Sequence, residues 1–262
     1  MKLGLIGKNI NHSLSPKIHK IIFEELNIEG EYSIFDIESH EIENLLKDCV
    51  IEGFKGINVT IPYKVEIMNY LNGVNELVQT IGACNTVLFK DDSLIGFNTD
   101  YYGFLSSIER YQIPYNNVKV LILGTGGVSK PVYEFFSKHN ENEIYFASRG
   151  KKGEKIISYE ELNNFKNMDI IVNCTPCGMY PNISESPVSE DVISEFKYAI
   201  DLIYNPFETK FLKIAGSLGL ICLNGFYMLI SQAICAEEIW NDIDINEDII
   251  NKIIDRCFNE IL

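Results

Sequence analysis

Residues 118–131 read VKVLILGTGGVSKP: an unbroken apolar run, three glycines within four positions, and then a proline. A continuous apolar run suits a strand buried on both faces of a parallel sheet. A proline is tolerated in the first turn of a helix, where its missing N–H is not needed. The stretch therefore predicts strand, tight glycine turn and helix, and parallel strands require a crossover of this kind. That commits this part of the chain to a layered α/β fold. The glycines let backbone approach a ligand, and the free amides and dipole of the helix N-terminus favour a pyrophosphate. Gly124, Thr125, Gly126, Gly127 and Val128 are thus candidate cofactor-binding residues, with Ser129 where the third glycine of G-x-G-x-x-G would fall.

The same alternation runs through the rest of the 262 residues. Before the glycine turn, KLGLIG, EYSIFDI and GINVTI read as strands separated by helices over about 15–26 and 41–49. Helical patches are expected at 64–71 and 74–81, then CNTVLF and SLIGF as a hairpin joined by KDD, then a helix near 102–110. A hairpin beside βαβ units predicts a mixed sheet. The turn-rich YQIPYNN marks the passage to a second series: VKVLILG, EIYFAS, MDIIVN, YAIDLI and GLICL. Apolar residues at helical spacing over 226–240 and 247–261 predict two closing helices. The expected architecture is α/β with two domains. One is a mixed-sheet substrate domain, 1–101 plus 226–262, on which the C-terminal helices pack back; the other is a Rossmann-like parallel-sheet domain, 102–225.

Composition narrows the function. A net charge of −15 disfavours nucleic acid and anionic membranes as partners, and no apolar run is long enough to span a bilayer. The seven cysteines are scattered, and the one CxxC, Cys174 with Cys177, lacks a second pair or a nearby histidine cluster, so reduced thiols and no metal are expected. MKLGLIG is too short for the apolar core of a signal peptide, which predicts a cytoplasmic protein. The sequence leaves monomer and homodimer open.

An adenosine-ribose partner is expected about 20 residues beyond the glycines, an acid for NAD or an arginine for NADP. Ser148 and Arg149 stand there, with Lys151, Lys152 and Lys155 following and no Asp or Glu at the strand end. A guanidinium pairs with a phosphate and stacks on adenine, which points to NADP, with Ser148, Arg149 and Lys152 as candidate contacts.

GINVTIPYK, residues 56–64, alternates like a half-buried strand until Pro62 and then presents Lys64. Ligands in open α/β sheets sit outside the carboxyl ends of strands, so Asn58, Thr60 and Lys64 line up as a cleft rim. Together with NHSLSPKIH, GACNTV, GFNTDYYG, GTGGVS, NCTPCGM, DLIYNPFET and NGFYMLISQA, this stretch resembles the shikimate dehydrogenase family over nearly the whole chain. The resemblance implies that Ser13 and Ser15 bind the substrate carboxylate with Tyr204 nearby. It implies that Asn58, Thr60, Asn85, Asp100 and Gln232 surround the ring hydroxyls, and that Lys64 and Asp100 are the catalytic pair. Thr175, Gly225 and Met228 match cofactor-side positions. The implied activity is NADPH-dependent reduction of 3-dehydroshikimate to shikimate in aromatic amino acid biosynthesis, with shikimate or 3-dehydroshikimate as the small-molecule partner. Which of Lys64 and Asp100 formally carries the proton stays open. Two alternatives remain: an NAD-dependent quinate/shikimate dehydrogenase, which would favour an acid near Ser148, and a noncatalytic ligand-binding relative, which would be expected to lack Lys64 or Asp100.

Overall fold

A computed structural model describes residues 1–91, 93–139, 141–150 and 153–262. They form two compact units, Met1–Gly103 with Ile230–Leu262, and Phe104–Leu229. The first unit opens with β1 (Lys2–Gly7), α1 (Ser15–Leu26), β2 (Glu31–Asp36), α2 (Ile42–Ile51) and β3 (Phe54–Val59). A 3-10 turn over Glu66–Tyr70 leads to β4 (Gly73–Val74), α3 (Glu76–Ile81), the hairpin β5 (Thr86–Lys90) and β6 (Ser93–Phe97), and α4 (Thr99–Arg110). Its six strands are ordered β2-β1-β3-β5-β6-β4, with β1 parallel to both neighbours and β5 antiparallel to both of its own, so the sheet is mixed as expected.

Three boundaries differ from the sequence reading. Val74 is paired with β6 as strand, because the Asn75 side chain accepts the Val78 N–H and starts the helix only after itself. The helix expected over 64–71 is reduced to the 3-10 turn; the Lys64 carbonyl is taken by the Cys84 N–H and cannot enter a helical ladder. The helix expected from Tyr102 begins at Thr99, where Asn98 Oδ1 accepts the Tyr101 N–H. The passage between units therefore falls within α4, upstream of the turn-rich 111–117.

The second unit continues with β7 (Lys119–Leu123), α5 (Ser129–Ser137), β8 (Glu143–Ala147), β9 (Ile156–Ile157) and a 3-10 turn over Tyr159–Asn164. Then come β10 (Ile170–Asn173), α6 (Glu190–Ile193), β11 (Tyr198–Asp201), α7 (Lys210–Ser217) and β12 (Ile221–Leu223). Its strand order is β12-β11-β10-β7-β8-β9, with every neighbouring pair parallel. The register aligns the last residues of four strands, Ala147, Leu123, Asn173 and Asp201, so the loops that follow leave from one edge. Val120, Leu121, Ile122 and Leu123 are all fully buried, as an inner parallel strand requires.

Finally, α8 (Phe226–Asn241) and α9 (Glu247–Ile261) close the chain. Trp240 is buried in the first unit and donates its indole N–H to the Val87 carbonyl at 3.0 Å. Arg256 on α9 reaches Glu24 and Glu25 of α1 at 2.7 and 2.9 Å, fixing the return of the C-terminal helices to that unit. Among the described residues, no helix is long and apolar enough to cross a membrane and no cluster of His, Cys, Asp or Glu is suited to a metal. All seven cysteines are free thiols, and burial pushes the Cys174 thiol well up.

Candidate active site

Lys64 owes its placement to its neighbours. Tyr63 is buried and donates its hydroxyl to the Ile37 carbonyl at 2.6 Å, while the Lys64 carbonyl accepts the Cys84 N–H at 2.7 Å. The backbone is held on both sides, and the lysine side chain is left to reach Asp100, Nζ to Oδ2 at 2.6 Å. Only 12% of the Lys64 and 8% of the Asp100 side chain is exposed, so this is a nearly dry ion pair. Asp100 is the second residue of α4, and a carboxylate in the first turn is favoured by the helix dipole.

Asn85 organises the surroundings of that carboxylate. Its Nδ2 donates to Asp100 Oδ1 at 3.0 Å and to Thr99 Oγ1 at 2.9 Å, while its Oδ1 accepts the Thr99 N–H at 2.6 Å, capping α4 from the foot of the hairpin. Gln232, buried on α8, turns Oε1 toward Asn85 Nδ2 and the Thr99 hydroxyl, each at 3.4 Å. Thr86 and Thr99 complete the network, hydroxyl to hydroxyl at 3.0 Å. The sequence reading did not pick out either threonine. The signal was there, since GACNTV and GFNTDY each put an Asn-Thr pair at a foot of the same hairpin.

Asn58 is also in the network, but its amide is occupied: Nδ2 donates to the Asn85 carbonyl at 3.3 Å and to Thr86 Oγ1 at 3.1 Å, and Oδ1 accepts from the Tyr32 hydroxyl at 2.7 Å. Among the described residues, the Thr60 hydroxyl has no partner, and its backbone pairs with β1 through the Ile6 carbonyl. The Ser13 hydroxyl accepts the Ser15 N–H and donates to Ser15 Oγ, both at 3.2 Å, and α1 begins without a side-chain cap. Two hydroxyls held together without a cation can accept an anionic oxygen as donors. The first unit thus gathers Ser13, Ser15, Asn58, Thr60, Lys64, Asn85, Asp100 and Gln232.

In the second unit the aligned strand ends bring the glycine loop, Ser148 and Thr175 to one edge of the sheet. Gly124 has φ +95°, a conformation open to glycine, and a Cβ there would lie 2.9 Å from Thr175 Cγ2. A Cβ on Gly126 would meet nothing within 4 Å, so the loop has open space above it. Val128 at the N-cap of α5 supplies no side-chain cap and the first turn carries no acid, so its amides are suited to an anion. These residues fit a dinucleotide pyrophosphate, and Thr125 lies within the same loop. Thr175 is fixed by Asn173 Oδ1, which accepts its N–H at 3.0 Å and its hydroxyl at 2.7 Å. Arg149 is exposed beside the half-buried Ser148; Lys152 lies outside the described residues.

Behind Thr175, Asp201 is fully buried and accepts from Thr209 Oγ1 at 2.6 Å, Asn173 Nδ2 at 3.0 Å and the Ile203 N–H at 3.1 Å. Burial outweighs those three bonds and raises its pKa to about 7. Tyr204, half-buried, follows on the same loop, its phenol pushed up by burial. Gly225 abuts this loop so closely that a Cβ would lie 2.1 Å from the Leu202 carbonyl oxygen, which accounts for a glycine there on packing grounds alone. Met228 is buried on α8.

Comparison with known proteins agrees with this geometry. Residues 5–87 match the family model described as the shikimate dehydrogenase substrate binding domain. The chain is 40% identical over 265 residues to the shikimate dehydrogenase (NADP(+)) of Clostridium beijerinckii, covering 98% of each. It superposes with TM-score 0.93 at 44% identity on shikimate dehydrogenase 1 from Peptoclostridium difficile, covering 100% of this chain and 99% of that one. A Thermus thermophilus shikimate 5-dehydrogenase solved with NADP(H) and shikimate matches with TM-score 0.86 at 29% identity, covering 98% and 99%.

Proposed function

The chain belongs to the shikimate dehydrogenase family, and from that premise we propose that it is an NADP-dependent shikimate dehydrogenase, interconverting 3-dehydroshikimate and shikimate in the cytoplasm. The observation that carries the reading is the Lys64–Asp100 pair, 2.6 Å apart and almost shielded from water, with Asn85 holding the other carboxylate oxygen. NADP(H), when bound at the glycine loop, supplies or accepts the hydride.

The residues of the first unit supply the rest. In the reducing direction a proton must reach the oxygen on which negative charge develops, and the Lys64 ammonium is both donor and charge stabiliser there. Asp100 keeps the ammonium oriented, and Asn85 with Thr99 keeps Asp100 from turning away. In the oxidising direction the neutral Lys64 amine takes the hydroxyl proton. Ser13 and Ser15 hold the carboxylate of the substrate, with Thr60 and Gln232 toward the ring hydroxyls; Asn58, whose amide is occupied internally, acts mainly by holding Asn85 and Thr86. Gly124, Gly126, Gly127 and the first turn of α5 hold the pyrophosphate, and Arg149 takes the 2′-phosphate. Shikimate-dependent reduction of NADP+ by the purified protein tests the reading: NADPH should accumulate, and its failure to do so would remove it.

A further inference from the structure

The opposite end of the site's hydrogen-bond network lies on an element that no sequence motif marks. Tyr32, on β2, donates its hydroxyl to Asn58 Oδ1 at 2.7 Å, across the intervening β1. An amide that accepts on one side must direct both its protons to the other, and Asn58 Nδ2 is thereby aimed at the Asn85 carbonyl and Thr86 Oγ1. Thr86 touches Thr99, and Asn85 holds Asp100. The phenol also faces Ser15, whose hydroxyl works to lower its pKa against the larger effects of burial and the Glu237 charge; the net shift is well upward, so the phenol remains a donor.

The ring itself is fixed from below. His19 stacks on Tyr32 with centroids 4.1 Å apart and planes 12° from parallel. The imidazole is fully buried, and its Nδ1 lies 2.7 Å from Oε1 of the equally buried Glu237, whose Oε2 accepts from Asn241 Nδ2 at 2.9 Å. Burying such a pair costs more than packing hydrocarbon of the same volume. Its place directly under Tyr32 gives it a use.

We propose that Tyr32, braced by His19 and Glu237, is a positioning residue that links the serines holding the substrate carboxylate to the Lys64–Asp100 pair through Asn58. The role rests on the functional reading above and adds a residue to it. Without the hydroxyl, the Asn58 amide is free to turn over, and the register of Asn85 against Asp100 is no longer enforced.

Tyr32→Phe keeps the ring and its stack while deleting the hydroxyl. Loss of one internal hydrogen bond corresponds to about a tenfold effect, so kcat for shikimate should fall by roughly that factor and KM should rise several-fold. NADPH affinity, measured by fluorescence titration, should stay within about twofold. Asn58→Ala should show the same split, and Tyr32→Phe in that background should change kcat little further, the signature of one shared pathway. A folded Tyr32→Phe protein with wild-type kcat and KM, or a full second loss in the double variant, overturns the positioning role alone. A wild-type protein inactive toward shikimate would overturn the functional reading, and this role with it.

Discussion

Replacing Lys64 by methionine keeps the length of the side chain and removes the proton and the charge together. A positioned general acid contributes about 10²-fold to 10⁴-fold, or roughly 2.7 to 5.4 kcal/mol of barrier. The structure adds a second consequence. Asp100 is left 8% exposed with the Asn85 amide but no cation. Breaking one side of a buried pair costs about 3 to 5 kcal/mol, and because water reaches about a tenth of these side chains the lower end applies, unless the carboxyl takes a proton and reduces the loss. Lys64→Met should therefore lose both turnover and stability. Adding Asp100→Asn removes the stranded charge, so the double variant should regain stability while turnover stays down. Stability follows from urea melting, turnover from shikimate oxidation, and cofactor affinity, carried by the other unit, from an NADPH titration that should not change. Wild-type turnover in Lys64→Met, or activity returning with stability in the double variant, would refute the assignment.

Two further outcomes are expected in the second unit. Arg149→Ala should weaken NADPH by about 1.5 to 3 kcal/mol, a charge-assisted contact, and NADH far less, shrinking the preference by roughly one to two decades; equal losses for both in parallel titrations would reduce Arg149 to a loop support. Asp201 binds its proton more tightly folded, near 7, than its ordinary 3.8, so its contribution is fully present below about pH 4 and is lost as pH rises through 7. The limit is about 4 kcal/mol, 1.36 for each of about three pH units. Asp201→Asn should flatten the fall in stability across that window, and an unchanged slope in urea melts at pH 5 and pH 8 would contradict the buried-acid account.

Much of this was legible because it is local. An apolar run entering a glycine turn has few folds open to it, and α1 and the closing helices follow from 3.6-residue periodicity with terminal signals at Asn27 and Asn246. Boundaries failed where a distant side chain or backbone group intervened, as when Asn75 capped α3 and Cys84 claimed the Lys64 carbonyl. The motifs placed Lys64, Asp100 and Asn85 as candidates, but no pattern along the chain shows that Asn85 spans from the end of one strand pair to the start of α4. Tyr32 and Glu237 were illegible for the same reason: an aromatic on a strand and an acid on a helix look like face residues until the sheet order sets Tyr32 beside Asn58 and the return of α8 sets Glu237 against His19. Asn58 illustrates the converse, since its position at a strand end suggests ligand contact whereas its amide is turned inward.

The most direct measurement is kcat/KM for the purified protein with shikimate and with quinate, each against NADP+ and NAD+. The account predicts that shikimate with NADP+ exceeds the other three pairings, with Arg149 and the absence of an acid beside Ser148 setting the cofactor term. Quinate with NAD+ matching or exceeding it would contradict the account, and no turnover with any pairing would contradict it more deeply, because a Lys64–Asp100 pair held this closely would then serve no chemistry.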